Sequence, residues 1–264
     1  MIQNYYRASD AADAIALKKA HSQAVFLAGG TQINRESLYR KMPDTVIDIR
    51  GALSEAIVRE GSEVVIGAMT TLQEVADNKV VPFALREAAA FIPTRSIRNQ
   101  ASIGGNIGAD CPDSLIIPTL IVLSATLDTA QGRMQVEEYL EKGSSELIYH
   151  IHLPEPPDSI IAIKESRSHI APPVVSAAVS LRRDSSRSLR ACVALGCVAS
   201  KTLRLHEVER ELESGNLRRR EDIEKAIDAS IKPKSDILGS VEYKAYINSV
   251  VVADAILRCL EELS

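Results

Sequence analysis

The chain has 264 residues, 45% hydrophobic and 25% charged, the composition of a globular protein with length enough for one large or two modest cores. A net charge of −4 supplies no field that would draw it to nucleic acid or to an anionic membrane. No run approaches the roughly 18 apolar residues of a membrane span, and Met1-Ile2-Gln3-Asn4-Tyr5-Tyr6-Arg7 has no apolar signal region, so a cytoplasmic protein is expected.

In chain order, Ser9 stands where it can cap a helix carrying Ala12, Ile15, Ala16 and Leu17 at helical spacing. Residues 24–28 read as a buried strand ending in Gly29-Gly30, and 45–49 and 64–66 as two more strands. Thr71 and Glu74 form a capping box for a helix reaching about Asn78. Pro82 suits the first turn of a helix ending near Phe91, and Pro93 breaks it before a second glycine pair, Gly104-Gly105. Leu115 to Leu123 is apolar with Pro118 inside, so a helix there is expected to start at or after the proline. Residues 125–129 and 134–136 bracket Ala130-Gln131-Gly132-Arg133 as a hairpin, and 147–153 is another strand. Pro154-Glu155-Pro156-Pro157 is the densest breaker cluster and is expected to mark a domain boundary. Beyond it, 160–164, 174–181 and 189–198 read as a three-stranded antiparallel sheet, followed by helices at 203–213, 221–231 and 241–262. Alternating strand and helix signals favour an α+β or α/β arrangement.

Cys111, Cys192, Cys197 and Cys259 are scattered, with no CxxC among them. Zinc or iron–sulfur ligation therefore lacks its usual spacing, and reduced thiols, three of them buried, are expected. His150 and His152 alternate on one strand face with no third ligand apparent, which favours a plain strand face over a metal site.

Two segments carry the chemistry. Gly29-Gly30-Thr31 follows an apolar strand, and Ser102 with Gly104-Gly105-Asn106 lies about seventy residues later. Each offers backbone N–H groups and a hydroxyl with no Cβ at the glycines, which is what a protein needs to hold a pyrophosphate by its main chain. Thr31, Ser102 and Asn106 can add side-chain donors. No G-x-G-x-x-G opens a helix after a strand and no G-x-x-x-x-G-K-[ST] occurs, so neither a Rossmann site nor a nucleoside triphosphatase loop is expected.

In this order the segments resemble the FAD-binding middle subunit of the molybdenum hydroxylases, the family of xanthine dehydrogenase and carbon monoxide dehydrogenase. Phe26 to Ile33 and Ile97 to Asn106 match the two FAD cradles, Val65 to Leu72 the "IGA" strand and following helix, Pro118-Thr119-Leu120 a further segment, and Lys164 a lysine before the second domain's core. The resemblance covers nearly the whole chain. It implies an α+β fold: a two-lobed FAD-binding domain of the vanillyl-alcohol-oxidase/PCMH type at 1–155 (lobes at about 1–55 and 56–155), then a domain at 156–264 with a three-stranded antiparallel sheet and a helical bundle.

It also implies cofactor contacts at Leu27, Ala28, Gly29, Gly30, Thr31, Gln32, Ile33, Ile97, Ala101, Ser102, Gly104, Gly105, Asn106, Gly108, Ser114, Ile148 and Lys164. Lys164 would approach the pyrimidine edge of the flavin and tune it, and Ile148 would pack on the adenine or the ring system. The implied partners are a large molybdopterin-binding subunit and a small two-iron two-sulfur subunit, with NAD or another molecule as acceptor.

Two departures stand out. Leu115 occupies the place of a family aspartate that binds cofactor hydroxyls, with Asp113 two residues before it, and Ala171 falls where an acidic residue often follows the lysine. They keep open a reading in which the chain is an FAD-less scaffold of such a complex. A stand-alone vanillyl-alcohol-oxidase-type enzyme is disfavoured by the lack of a substrate domain and of a clear histidine for a covalent flavin link.

Overall fold

The computed structural model describes residues 2–34, 42–143 and 145–263. The first lobe is a parallel three-stranded sheet in the order β1-β3-β2, from β1 (Asn4–Arg7), β2 (Val25–Leu27) and β3 (Thr45–Asp48), with α1 (Ala11–Ala20) between β1 and β2. β1 was not legible in the sequence: with burial on neither face complete, it shows no apolar alternation. Asp10, not Ser9, caps α1: its carboxylate accepts from Asp13 N at 2.9 Å, while Ser9 donates its own N–H to the Asp13 carboxylate. Ala14, Ala24, Ile47 and Ile49 form the lobe's small core.

The second lobe is an antiparallel five-stranded sheet in the order β4-β5-β8-β6-β7: β4 (Ile57–Glu60), β5 (Glu63–Gly67), β6 (Thr126–Thr129), β7 (Gly132–Gln135) and β8 (Ile148–Leu153). Its helices are α2 (Leu72–Asp77), α3 (Phe83–Ala90), α4 (Arg95–Arg98), α5 (Ile103–Ala109), α6 (Ile117–Val122) and α7 (Val136–Glu141). The expected capping box is present, with Glu74 N 3.2 Å from Thr71 Oγ1 and Thr71 N 2.8 Å from the Glu74 carboxylate. α6 starts one residue before Pro118 rather than at it. The proline sits in the first turn, where no intrahelical partner awaits its missing N–H, and Ser114 Oγ accepts from Ile116 N and Ile117 N, both at 3.2 Å.

The C-terminal half holds four strands, not three, in the order β12-β11-β10-β9: β9 (Ser159–Glu165), β10 (Val175–Arg183), β11 (Leu189–Gly196) and β12 (Leu203–Arg204). β12 takes the first residues of the expected helix at 203–213, and α8 (His206–Glu213), α9 (Arg220–Ser230) and α10 (Val241–Glu262) follow. β10 is buried at every residue from Val175 to Leu181 because the sheet is covered on both faces. Ala178 joins the core of the second lobe, whereas Ala177, Val179 and Leu181 join a core closed by the C-terminal helices.

Three buried thiols were expected, but only Cys259 is fully enclosed, while Cys111, Cys192 and Cys197 keep partial exposure. Burial still pushes the Cys192, Cys197 and Cys259 thiols up, Cys259 to about 11, which keeps them protonated. His152 is not on a plain face. Its Nε2 lies 2.7 Å from Asp128 Oδ2 and its Nδ1 3.4 Å from Glu63 Oε2, so the two carboxylates face different ring nitrogens and share no point for a cation. Among the described residues, no helix is long and apolar enough to cross a membrane.

Candidate functional site

A cleft of about 1070 Å³ runs between the first lobe, the second lobe and β9. That is the upper end of the range for small-molecule sites. Every residue expected at the cofactor lines it except Leu27, which lies one step back in β2, paired with Asp48.

The first glycine segment is open to a ligand. Gly30 adopts φ +71°, a left-handed conformation that a side chain would strain, and Asn34 N donates to Gly30 O at 3.0 Å to close the turn. Among the described residues, the N–H groups of Gly29, Gly30, Thr31, Gln32 and Ile33 donate to no group of the chain. Successive unpartnered N–H groups around a left-handed residue form a concavity suited to an anion. Gln32 faces Cys111 through Oε1, at 3.5 Å from the sulfur, which leaves its Nε2 as a donor.

The second segment differs from its expected role. It is the start of α5, and its N–H groups are already used: Ile103 N donates to Thr70 O, Gly104 N to Ala68 O, and Gly105 N to Ser102 Oγ, at 3.0, 2.9 and 3.1 Å. Ser102 is therefore a helix cap. Three of the glycines are also needed for chain packing. A Cβ on Gly29 would stand 1.7 Å from Gln100 O, one on Gly104 2.7 Å from Ala68 Cβ, and one on Gly105 3.3 Å from Ala28 Cβ. Gly29 against Gln100 and Gly105 against Ala28 bring the two segments together, while Gly104 packs on Ala68.

Asn106 is the polar side chain that α5 offers to the cleft. Ser114 Oγ receives two N–H groups, so its hydrogen goes to Asn106 Oδ1 at 2.7 Å, and the Asn106 amide nitrogen is left as a donor. Ser114 lines the cleft but its hydroxyl is consumed by the α6 cap. Lys164 Nζ donates to Phe91 O at 3.0 Å, at the C-terminal end of α3, and to His169 O at 2.8 Å. Burial lowers its pKa, and one of its three N–H groups remains. Ile148 is 5% exposed, so it serves the core and the cleft wall together. Leu115 leaves its part of the wall apolar, Asp113 also lines the cleft, and Ala171 to Pro173 line it from the same loop as His169, which Lys164 contacts.

Tyr139 escaped the sequence reading. It lines the cleft from α7, a six-residue helix with no sequence signal strong enough to separate it from the preceding strand, and its hydroxyl donates to Glu146 O at 2.8 Å. Burial pushes that phenol well above its usual range, so it stays protonated.

Two family models match the chain. The one described as the FAD binding domain in molybdopterin dehydrogenase covers residues 1–156, and the CO dehydrogenase flavoprotein C-terminal domain covers residues 163–259. An uncharacterized protein, YgfM of Escherichia coli K12, is 35% identical over 98% of this chain and 97% of its own. The xanthine dehydrogenase FAD-binding subunit of Escherichia coli O157:H7 is 26% identical over 92% and 91%, and the carbon monoxide dehydrogenase medium chain of Afipia carboxidovorans is 27% identical over 97% and 96%. Among solved structures, a carbon monoxide dehydrogenase chain from Hydrogenophaga pseudoflava superposes with a TM-score of 0.84 at 25% identity, over 99% of this chain and 98% of that one. The fold, the cleft and these matches together place the chain in the FAD-binding domain family of the molybdopterin dehydrogenases, oxidoreductases of the xanthine and carbon monoxide dehydrogenase type whose cofactor in this domain is FAD.

Proposed function

We propose that the chain is the electron-transfer flavoprotein subunit of a multi-subunit molybdenum hydroxylase, with FAD lying along the cleft and its pyrophosphate on the N–H groups of residues 29–33. The observation that carries this reading is that run of five unpartnered donors, among the described residues, lining a cleft large enough for a dinucleotide. Thr31, Gln32 Nε2 and Asn106 Nδ2 are side-chain donors that line the same cleft. Ile97, Ala101 and Ile148 supply apolar wall, and Gly108 keeps the wall low opposite Tyr139. Lys164 places a positive charge at the far end, where it would favour the anionic reduced ring.

When bound, FAD supplies the exchange between one-electron and two-electron carriers. We assign the supply of electrons to a small two-iron two-sulfur partner and the oxidation of substrate to a large molybdopterin-binding partner, with NAD or another molecule as acceptor. The relatives named as subunits or chains of dehydrogenases support that assignment. We also propose the division into a cofactor domain at 1–155, with lobes at about 1–55 and 56–155, and a second domain at 156–264.

A second reading, an FAD-less scaffold subunit, rests on the apolar Leu115 in the cleft wall, where the family resemblance implies an aspartate in many members. Purification decides between them. A protein that shows flavin bands, or gains them on incubation with FAD, and releases FAD rather than FMN on denaturation supports the first. A colourless protein that FAD neither tints nor stabilises thermally supports the second.

A further inference from the structure

We infer that Lys201 is a positioning residue for the cofactor cleft, reaching from the C-terminal sheet to hold together the two helices that form one of its walls. This rests on the reading of the cleft as the FAD site. Lys201 lies between β11 and β12, and its Nζ donates to the Leu140 carbonyl in α7 at 2.7 Å and stands 3.2 Å from Asp110 Oδ2 at the end of α5. The same helices also line the cleft: α5 presents Asn106 and Gly108, and α7 presents Tyr139. They meet there, since a Cβ on Gly108 would lie 3.7 Å from the Tyr139 hydroxyl. One ammonium thus joins two helices that both line the cleft.

Neither helix can hold that geometry by itself. α5 has seven residues and stops at Asp110 in a left-handed conformation, φ 45°, and α7 has six residues. Helices this short depend on tertiary contacts. Other contacts from the C-terminal half converge on the same region. Cys197 N donates to Pro112 O at 2.7 Å, Ser176 Oγ to Ser114 O at 2.6 Å, and Arg204 reaches Glu137 in α7 at 2.9 Å while also gripping Glu209. Lys201 differs from these in touching both α5 and α7, and it does not line the cleft, so its influence on a ligand passes through the wall it holds.

The test compares the intact chain with K201M, K201Q and K201R, with FAD itself as the titrant. K201M is expected to weaken FAD binding by roughly threefold to tenfold and to change the visible circular dichroism of the bound flavin, which reports the asymmetry of its surroundings. K201R, which keeps the charge and the donors, should restore both, and K201Q, with a donor but no charge, should fall between. The substitutions lie on a half-exposed side chain, and melting of the FAD-free proteins measures any purely structural loss separately. A K201M protein with a lower melting temperature but unchanged FAD affinity and dichroism overturns the inference. A parent chain that binds no FAD overturns the cofactor reading, and the inference with it.

Discussion

Gly29 and Gln100 are in closer contact than any side chain would permit: a Cβ on Gly29 would stand 1.7 Å from the Gln100 carbonyl oxygen. The loop that offers free N–H groups is thereby pressed against the chain leading into α5. Gly29→Ala should therefore displace one segment from the other, lowering stability by about 1–3 kcal/mol and weakening FAD binding as well. Thermal unfolding of the FAD-free protein with an FAD titration checks both effects. Unchanged unfolding would show that the loop adjusts.

A Cβ on Gly30 would meet no comparable obstacle, lying 3.1 Å from the Asn34 amide and 3.4 Å from a Leu27 methyl, but the φ of +71° disfavours a branched side chain. Gly30→Val should rebuild the turn and disperse the donors of residues 29–33. FAD affinity should fall roughly tenfold to a hundredfold, the loss of about one charge-assisted bond, with a smaller change in melting temperature than Gly29→Ala. Equilibrium dialysis of the two variants side by side separates packing from ligand binding.

Asn106 and Ser114 make a paired prediction. Asn106→Leu removes the amide donor that Ser114 orients, and FAD affinity should drop by about tenfold with the helices intact. Ser114→Ala removes the α6 cap, so about 1 kcal/mol of stability should be lost, with a lesser effect on FAD. The reverse order of effects, measured by titration and by denaturant unfolding, would make Ser114 the ligand and Asn106 the support.

Lys164→Met keeps the length of the side chain and removes its charge. The flavin's two-electron reduction potential should fall by about 30 mV for each 1.4 kcal/mol of lost preference for the reduced ring, while FAD affinity changes less. A potential that stays at the parent value with FAD bound would confine Lys164 to its bonds with Phe91 O and His169 O.

Acid stability should depend on Asp48. Burial raises its pKa, but bonds from Arg50 and Tyr5 outweigh burial and bring it down to about 2. A carboxylate depressed in the folded state stabilises above its unfolded pKa, and that stability is lost as pH falls from about 4 toward 2. The contribution is on the order of 2 kcal/mol for this nearly inaccessible group. Asp48→Asn should flatten the acid limb of the stability curve over that window. A parallel acid limb in parent and variant would refute it.

Much of this architecture follows from local rules. Thr71 and Glu74 announce α2 by chemistry that works within one turn, and the strands at 45–48 and 63–67 show as apolar runs because neighbours bury them on at least one face. β1, β4, α4 and α7 carry no such mark, since exposed edges and one-turn helices are held by partners elsewhere in the chain. The extra strand β12 is two residues long and exists only through its pairing with β11.

The sequence by itself determined the family and the order of most strands and helices, and it singled out two glycine segments, because these depend on residue type and short spacing. Tertiary structure alone decided which donors are free. Gly29-Gly30-Thr31 and Gly104-Gly105 look equivalent as strings, yet the second pair gives its N–H groups to Ala68 and Ser102, and the first pair keeps its own. The cap that Ser102 places on Gly105 N is local, but the Gly104 N–H goes to Ala68, and which distant group the fold lays across a backbone N–H is a long-range property that no local pattern encodes.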